Sequence, residues 1–91
     1  MRTYRARFDV DYSLRTIRCL LEGDRVVDDR YATLHFEDSI QLLRMLRQAG
    51  MPEEIALGDN AKTSWIVTFQ QLLVMGYTGE QLHAIGIYSD S

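Results

Sequence analysis

The feature that most constrains this 91-residue chain is a stretch without any charged side chain, from Thr63 to Gly79. Residues 65–75 within it are mostly apolar, and we interpret them as part of a long helix that begins near Asp59 or Asn60. A helix with apolar residues around most of its circumference has to be covered by its own fold, by a partner or by lipid. The stretch contains several polar residues and falls short of the roughly 20 apolar residues of a membrane span. We therefore predict a helix that is covered by protein.

Two apolar faces can be drawn on this predicted helix. Trp65, Phe69 and Leu72 lie on the inner face. Val67 and Val74 are seven residues apart and lie nearly opposite, a spacing typical of a helix that pairs with its copy or with a helix of another protein. The predicted partner-binding residues are Val67, Gln70, Gln71, Val74, Met75 and Tyr77.

Length, charge and cysteine content limit the class of protein. A chain of this size is expected to form one domain over residues 1–91, with a strand-rich part at 3–36 and a helical part at 38–86. The net charge of −3 and the pI near 5.2 do not favour a general nucleic-acid-binding protein. Cys19 is the single cysteine, which suits a reducing compartment, and no apolar signal segment follows the basic N-terminal residues. We expect a cytoplasmic protein without a membrane partner.

Alternating side chains predict an antiparallel sheet of three strands in the first part of the chain. From Thr3 to Val10 apolar and polar residues alternate with a period of two. The run from Arg15 to Leu21 alternates less regularly, and with a loop at residues 11–14 the two runs form a hairpin. A turn at Gly23-Asp24 leads to a third strand, from Val26 to Phe36, whose pattern breaks in the middle. The strands therefore form a meander.

Helical periodicity begins after Asp38. The first predicted helix spans Ser39–Ala49, with Asp38 as its N-cap and Gly50 after its end. Its apolar arc consists of Leu42, Leu43, Met45, Leu46 and Ala49. A second capping pattern at Thr78 predicts a short helix that ends at Gly86. The predicted fold class is therefore α+β, with a three-stranded antiparallel sheet followed by two to four helices packed on one face.

Three arginines are expected on the outer face of the sheet. The predicted hairpin register places Arg7 opposite Arg18, with Arg5 beside them. Like charges directly opposite each other are destabilising unless an anion lies between them. One hypothesis is that Asp9 and Asp29 supply this anion. The other is that Arg5, Arg7 and Arg18 bind phosphate, nucleic acid or an acidic protein surface.

Catalytic and metal-binding patterns are weak. Asp9-Val10-Asp11 resembles the D-x-D motif of haloacid-dehalogenase-like phosphatases, but that family requires a buried parallel strand and a much larger sheet. Cys19, His35 and His83 lack the spacing of a metal site. Cys19 is also predicted to point into the core, where thiols are inert. We expect no metal, no cofactor and no enzymatic activity.

The sequence therefore favours a small non-enzymatic protein–protein interaction module. We expect a regulator, an adaptor or an inhibitor of the kind that bacteria and phages encode, either homo-oligomeric or bound to a partner through the long uncharged helix. The alternative is a nucleic-acid- or phosphate-binding regulator that uses the arginines of the outer sheet face. The first hypothesis predicts a concentration-dependent mass, and the second predicts salt-dependent retention on DNA or RNA.

Overall fold

Four strands and three helices form the part of the chain that the structure, a computed structural model, describes: residues 2–23, 31–55 and 62–89. In chain order they are β1 (Tyr4–Asp11), β2 (Thr16–Leu21), β3 (Ala32–His35), α1 (Ser39–Gln48), β4 (Lys62–Val67), α2 (Phe69–Met75) and α3 (Gly79–Ala84). The strands form one antiparallel sheet in the order β3-β2-β1-β4. The predicted α+β class with an antiparallel sheet is confirmed, but the predicted number of three strands is wrong.

The hairpin of β1 and β2 differs from its prediction in register. β1 continues through Asp11 and the turn occupies residues 12–15, so that Asp9, and not Arg7, lies opposite Arg18. The predicted pairing is therefore wrong by two residues. A shift of two leaves every side chain on its predicted face, because side chains alternate with a period of two.

The largest difference lies at Lys62–Val67, which we predicted to be helical and which forms the edge strand β4. β4 pairs antiparallel with β1, and Trp65 lies opposite Ala6. Trp65 and Val67 are buried while Ile66 between them is half exposed, the alternation of a strand. The helix prediction is wrong for these residues. As a result, Trp65 and Val67 lie on the same face instead of on opposite faces.

The helices begin at side-chain caps. The Asp38 carboxylate accepts a hydrogen bond of 2.8 Å from the backbone N–H of Gln41, as predicted for the start of α1. α2 begins after Thr68, whose hydroxyl accepts from the N–H of Gln71 while the Gln71 side chain accepts from the N–H of Thr68. The same reciprocal pair forms at the predicted cap Thr78 and starts α3.

Sheet and helices share one core on one side of the sheet. It consists of Ala6, Phe8, Val10, Ile17, Cys19, Ala32, Phe36, Leu42, Met45, Leu46, Ala49, Met51, Trp65, Val67, Leu72, Met75, Tyr77, Leu82, Ile85 and Ile87. The predicted inner positions of α1 are buried except Leu43, which is 45% exposed. Cys19 points into this core as predicted. Within the described residues, no helix is long and apolar enough to cross a membrane.

Several sequence-based predictions fall outside the described residues. These are Asp24 of the predicted turn, the start of the third strand at Val26, the position of Asp29, and the predicted helix start near Asp59 or Asn60. The second half of the third strand is described. Ala32 and Phe36 are buried there, with Leu34 partly buried between them, which agrees with the predicted alternation.

Candidate binding site on the open sheet face

The six residues that we predicted to bind a partner do not share a surface. Val67, Met75 and Tyr77 belong to the core, and the Gln71 side chain caps α2. Gln70 and Val74 are exposed, Val74 to 55%. The predicted interface therefore does not exist as one helical stripe, because residues 62–67 form a strand. Partner binding through Gln70 and Val74 stays a prediction.

The three predicted arginines do share a surface, on the face of the sheet opposite the helices. The register places Arg5 and Arg7 of β1 beside Ile66 and Ser64 of β4, and Arg18 of β2 opposite Asp9. We call this surface the open sheet face; it consists of Arg5, Arg7, Asp9, Arg18, Leu20, Tyr31, Lys62, Ser64 and Ile66. Lys62 is a cation that sequence reasoning missed here, because it belongs to the strand that was taken for a helix.

A nearly buried carboxylate lies at the centre of the open sheet face. Asp9 is 7% exposed, and its two oxygens accept hydrogen bonds from Nε and Nη2 of Arg7, at 3.0 and 3.2 Å. Nη2 of Arg18 lies 3.9 Å from Oδ2 of the same carboxylate. Asp9 is therefore the anion between the two arginines, as one of our hypotheses proposed. The paired hydrogen bonds to Arg7 fix the plane of its guanidinium group.

Tyr31 holds Arg18 from another direction. The guanidinium carbon of Arg18 lies 4.7 Å from the centre of the Tyr31 ring, within the distance of a cation–π contact. Arg18 thus has a carboxylate near one end and an aromatic ring against its plane. Less side-chain entropy remains to be lost when such a group binds a ligand.

Two cations, Arg5 and Lys62, lie where β1 meets β4. Among the described residues, neither Arg5 nor Lys62 makes a side-chain hydrogen bond or an ion pair. Ile66, opposite Arg5, is 50% exposed. Glu22 lies across from Arg5 on the other side, since its N–H donates to the Arg5 carbonyl oxygen at 2.9 Å. This side of the face combines two available cations with an apolar side chain.

The cysteine and histidine side chains considered for catalysis or metal binding lie in other surroundings. Burial, with the negative charge of Asp9 as a smaller cause, raises the pKa of the Cys19 thiol to about 12, so the thiol is protonated at neutral pH. The His83 ring contacts the rings of Phe69 and Tyr88, with ring centres 5.7 and 5.4 Å away. In residues 2–23, 31–55 and 62–89 no three His, Cys, Asp or Glu side chains are placed to hold a metal ion. The open sheet face thus offers ionic and apolar contacts to a ligand.

Comparison of the chain with protein-family models, curated proteins and solved structures found no match.

Proposed function

We propose that this protein is a non-enzymatic binding module whose open sheet face binds an acidic segment of a partner protein. The observation that carries the proposal is the arrangement of Arg7 and Arg18 around the nearly buried Asp9, with Arg5 and Lys62 unpaired beside them among the described residues. The helices cover the opposite side of the sheet, so the three arginines and Lys62 stay accessible. Preoriented arginines bind carboxylates well because their planar donors match the geometry of the anion.

The composition of the face favours a protein partner over a nucleic acid. Proteins that bind single-stranded nucleic acids on a sheet stack bases on aromatic side chains of the strands. The outward residues of the central strands here are Arg5, Arg7, Asp9, Asp11, Thr16, Arg18 and Leu20, none of them aromatic. Arginine and tyrosine, which lie together on this face as Arg18 and Tyr31, are enriched at protein interfaces.

Two single substitutions test the proposal, because both remove one exposed arginine charge. Arg5→Gln changes the open sheet face, and Arg44→Gln changes the exposed side of α1. We expect Arg5→Gln to weaken binding of a fluorescein-labelled glutamate-rich peptide by roughly fivefold, since an exposed ion pair contributes up to about 1 kcal/mol. Arg44→Gln should bind like the wild type. Fluorescence anisotropy at low and high salt measures both, and salt should weaken the binding that depends on Arg5.

A labelled single-stranded oligonucleotide serves as the competing probe. Tighter binding of the oligonucleotide, lost in Arg5→Gln and kept in Arg44→Gln, would support the nucleic-acid alternative and contradict our proposal. Equal effects of the two substitutions on the acidic peptide would show that it responds to net charge alone. The solution mass of the wild type at two concentrations tests separately whether the partner is a second copy of this chain.

A further inference from the structure

We infer that the partner segment binds as an added β-strand along the outer edge of β4 and directs acidic side chains over the cationic side of the open sheet face. This inference rests on the proposed function, since it specifies how the acidic segment binds. Addition of a strand to a sheet edge gives affinity through backbone hydrogen bonds, and side chains at alternate positions give specificity.

β4 has the properties that strand addition requires. It is the last strand in the order β3-β2-β1-β4, and in the described part of the chain no strand pairs with its other side. It is six residues long and contains no proline, so its backbone groups along the edge are able to pair. The other edge strand, β3, has four residues and no arginine or lysine. An acidic strand is therefore expected at β4.

The register between β1 and β4 predicts which side chains the added strand carries. Its outward side chains would lie next to Lys62, Ser64 and Ile66, with Cβ atoms of facing pairs about 4.5–5.5 Å apart. A carboxylate beside Lys62 forms an ion pair, and an apolar side chain beside Ile66 covers its exposed surface. Asp9 lies opposite Lys62 but is bound by Arg7, so Lys62 remains able to pair with a carboxylate of the added strand.

The position of the added strand next to Ser64, between those next to Lys62 and Ile66, is predicted to carry an acidic side chain. Ser64 lies opposite Arg7, and Arg5 is the next outward residue along β1. Because serine is small, a carboxylate beside it is able to reach across β4 toward these arginines. Arg7 uses two of its five N–H donors on Asp9, which leaves donors for a second carboxylate. The expected pattern of outward residues is thus acidic, acidic and apolar, from Lys62 to Ile66.

The test uses labelled peptides with this pattern, Thr-Glu-Thr-Glu-Thr-Leu-Thr and its reversed sequence, so that parallel and antiparallel pairing are both covered. Two methylated versions are made of the peptide that binds more tightly. In one, the backbone nitrogens of the glutamates and leucine are methylated; in the other, those of the three threonines after the first residue. The two methylated versions have the same charge and composition. In a strand, only every second N–H points toward β4. We expect one version to bind at least about tenfold more weakly and the other to bind like the parent, since only the first loses its backbone hydrogen bonds to β4.

A variant of the protein provides an independent check. Ser64→Glu places a negative charge on the outer side of β4 and should weaken binding of the unmethylated peptide. His35→Glu places the same charge on the outer side of the other edge strand, opposite Thr16, and should leave binding nearly unchanged.

The outcomes separate this inference from the proposed function. If both methylated peptides bind like the parent, or both lose binding equally, strand addition at β4 is overturned. The proposed function still stands in that case, provided that Arg5→Gln weakens binding and Arg44→Gln does not. Equal effects of Ser64→Glu and His35→Glu also overturn the inference. If no acidic peptide binds, or if Arg5→Gln weakens binding no more than Arg44→Gln does, the proposed function itself is wrong.

Discussion

The indole nitrogen of Trp65 donates a hydrogen bond of 2.9 Å to the backbone carbonyl oxygen of Ala49, which joins the edge strand β4 to the end of α1. The Trp65 ring also stacks on Phe8 of β1, with ring centres 4.3 Å apart. Strand, neighbouring strand and helix thus meet at one side chain. These contacts explain why Trp65 belongs to the core and not to a surface for a partner.

Substitution of Trp65 should separate these contacts. We expect Trp65→Ala to lower the free energy of unfolding by about 3 to 5 kcal/mol, since it removes a large buried ring. Trp65→Phe should cost about 1 to 2 kcal/mol, because an aromatic ring remains but the carbonyl of Ala49 loses its donor. Urea unfolding followed by circular dichroism measures both. The fluorescence of native Trp65 should be blue-shifted, and a red-shifted emission from the folded protein would contradict its burial.

Val67 and Val74 form a matched pair for the same substitution. Val67 is fully buried in the core, whereas Val74 is 55% exposed on α2. Val67→Glu should unfold the protein, because an unpaired charge in the core costs several kcal/mol. Val74→Glu should change stability by no more than about 0.5 kcal/mol. A folded Val67→Glu protein would contradict the placement of β4. Loss of an oligomeric mass in Val74→Glu would support partner binding through the exposed part of α2.

Tyr77 links the loop before α3 to the sheet. Its hydroxyl donates to the backbone carbonyl oxygen of Ile17 at 3.2 Å, and burial, with a smaller effect of Cys19, raises its pKa above the usual range. We expect Tyr77→Phe to cost about 1 to 2 kcal/mol through the lost hydrogen bond. Thermal unfolding with Tyr88→Phe as the control, an exposed tyrosine, measures the difference. Equal effects would show that the Tyr77 hydroxyl contributes nothing.

Stability should fall at alkaline pH through Cys19. Its pKa rises from 9.0 to about 12 on folding, so the native state keeps the thiol protonated where the unfolded state releases the proton. The contribution is fully present below about pH 9 and is lost as the pH rises toward 12. Unfolding free energies of the wild type and Cys19→Ala, measured from pH 8 to 11, should converge with rising pH. A constant difference would contradict the raised pKa.

Asp9→Asn should affect stability and binding in opposite directions. The substitution removes the charge that Arg7 and Arg18 share, and we expect it to cost about 1 to 3 kcal/mol of stability. It also removes a negative charge from the centre of the open sheet face, so the acidic peptide should bind more tightly. Anisotropy titrations of the two proteins under conditions where both are folded test this. Weaker binding by Asp9→Asn would mean that Asp9 orients the arginines more than it competes with the ligand.

Local patterns predicted much of this fold. Alternation identified β1 and β2, and the capping residues Asp38 and Thr78 identified the starts of α1 and α3. The pattern that predicted α3, a threonine followed three residues later by glutamine, also occurs at Thr68. It would have placed the start of α2 at Phe69 and ended the preceding element there. The capping pattern at Thr68 was therefore visible in the sequence. The prediction of one long helix followed instead from the lack of charged residues between Thr63 and Gly79.

The sequence alone determined the faces of β1 and β2, and with them the gathering of Arg5, Arg7 and Arg18 on one side. The predicted pairing of β1 with β2 was wrong by two residues, but the faces were still correct because side chains alternate with a period of two. Whether residues 62–67 form a strand or a helix was decided only by the tertiary structure. A short apolar run fits a strand and a buried helix equally well on local grounds. Here the choice is made by pairing with β1, more than 50 residues earlier in the chain, and by the cover that α1 gives to Trp65.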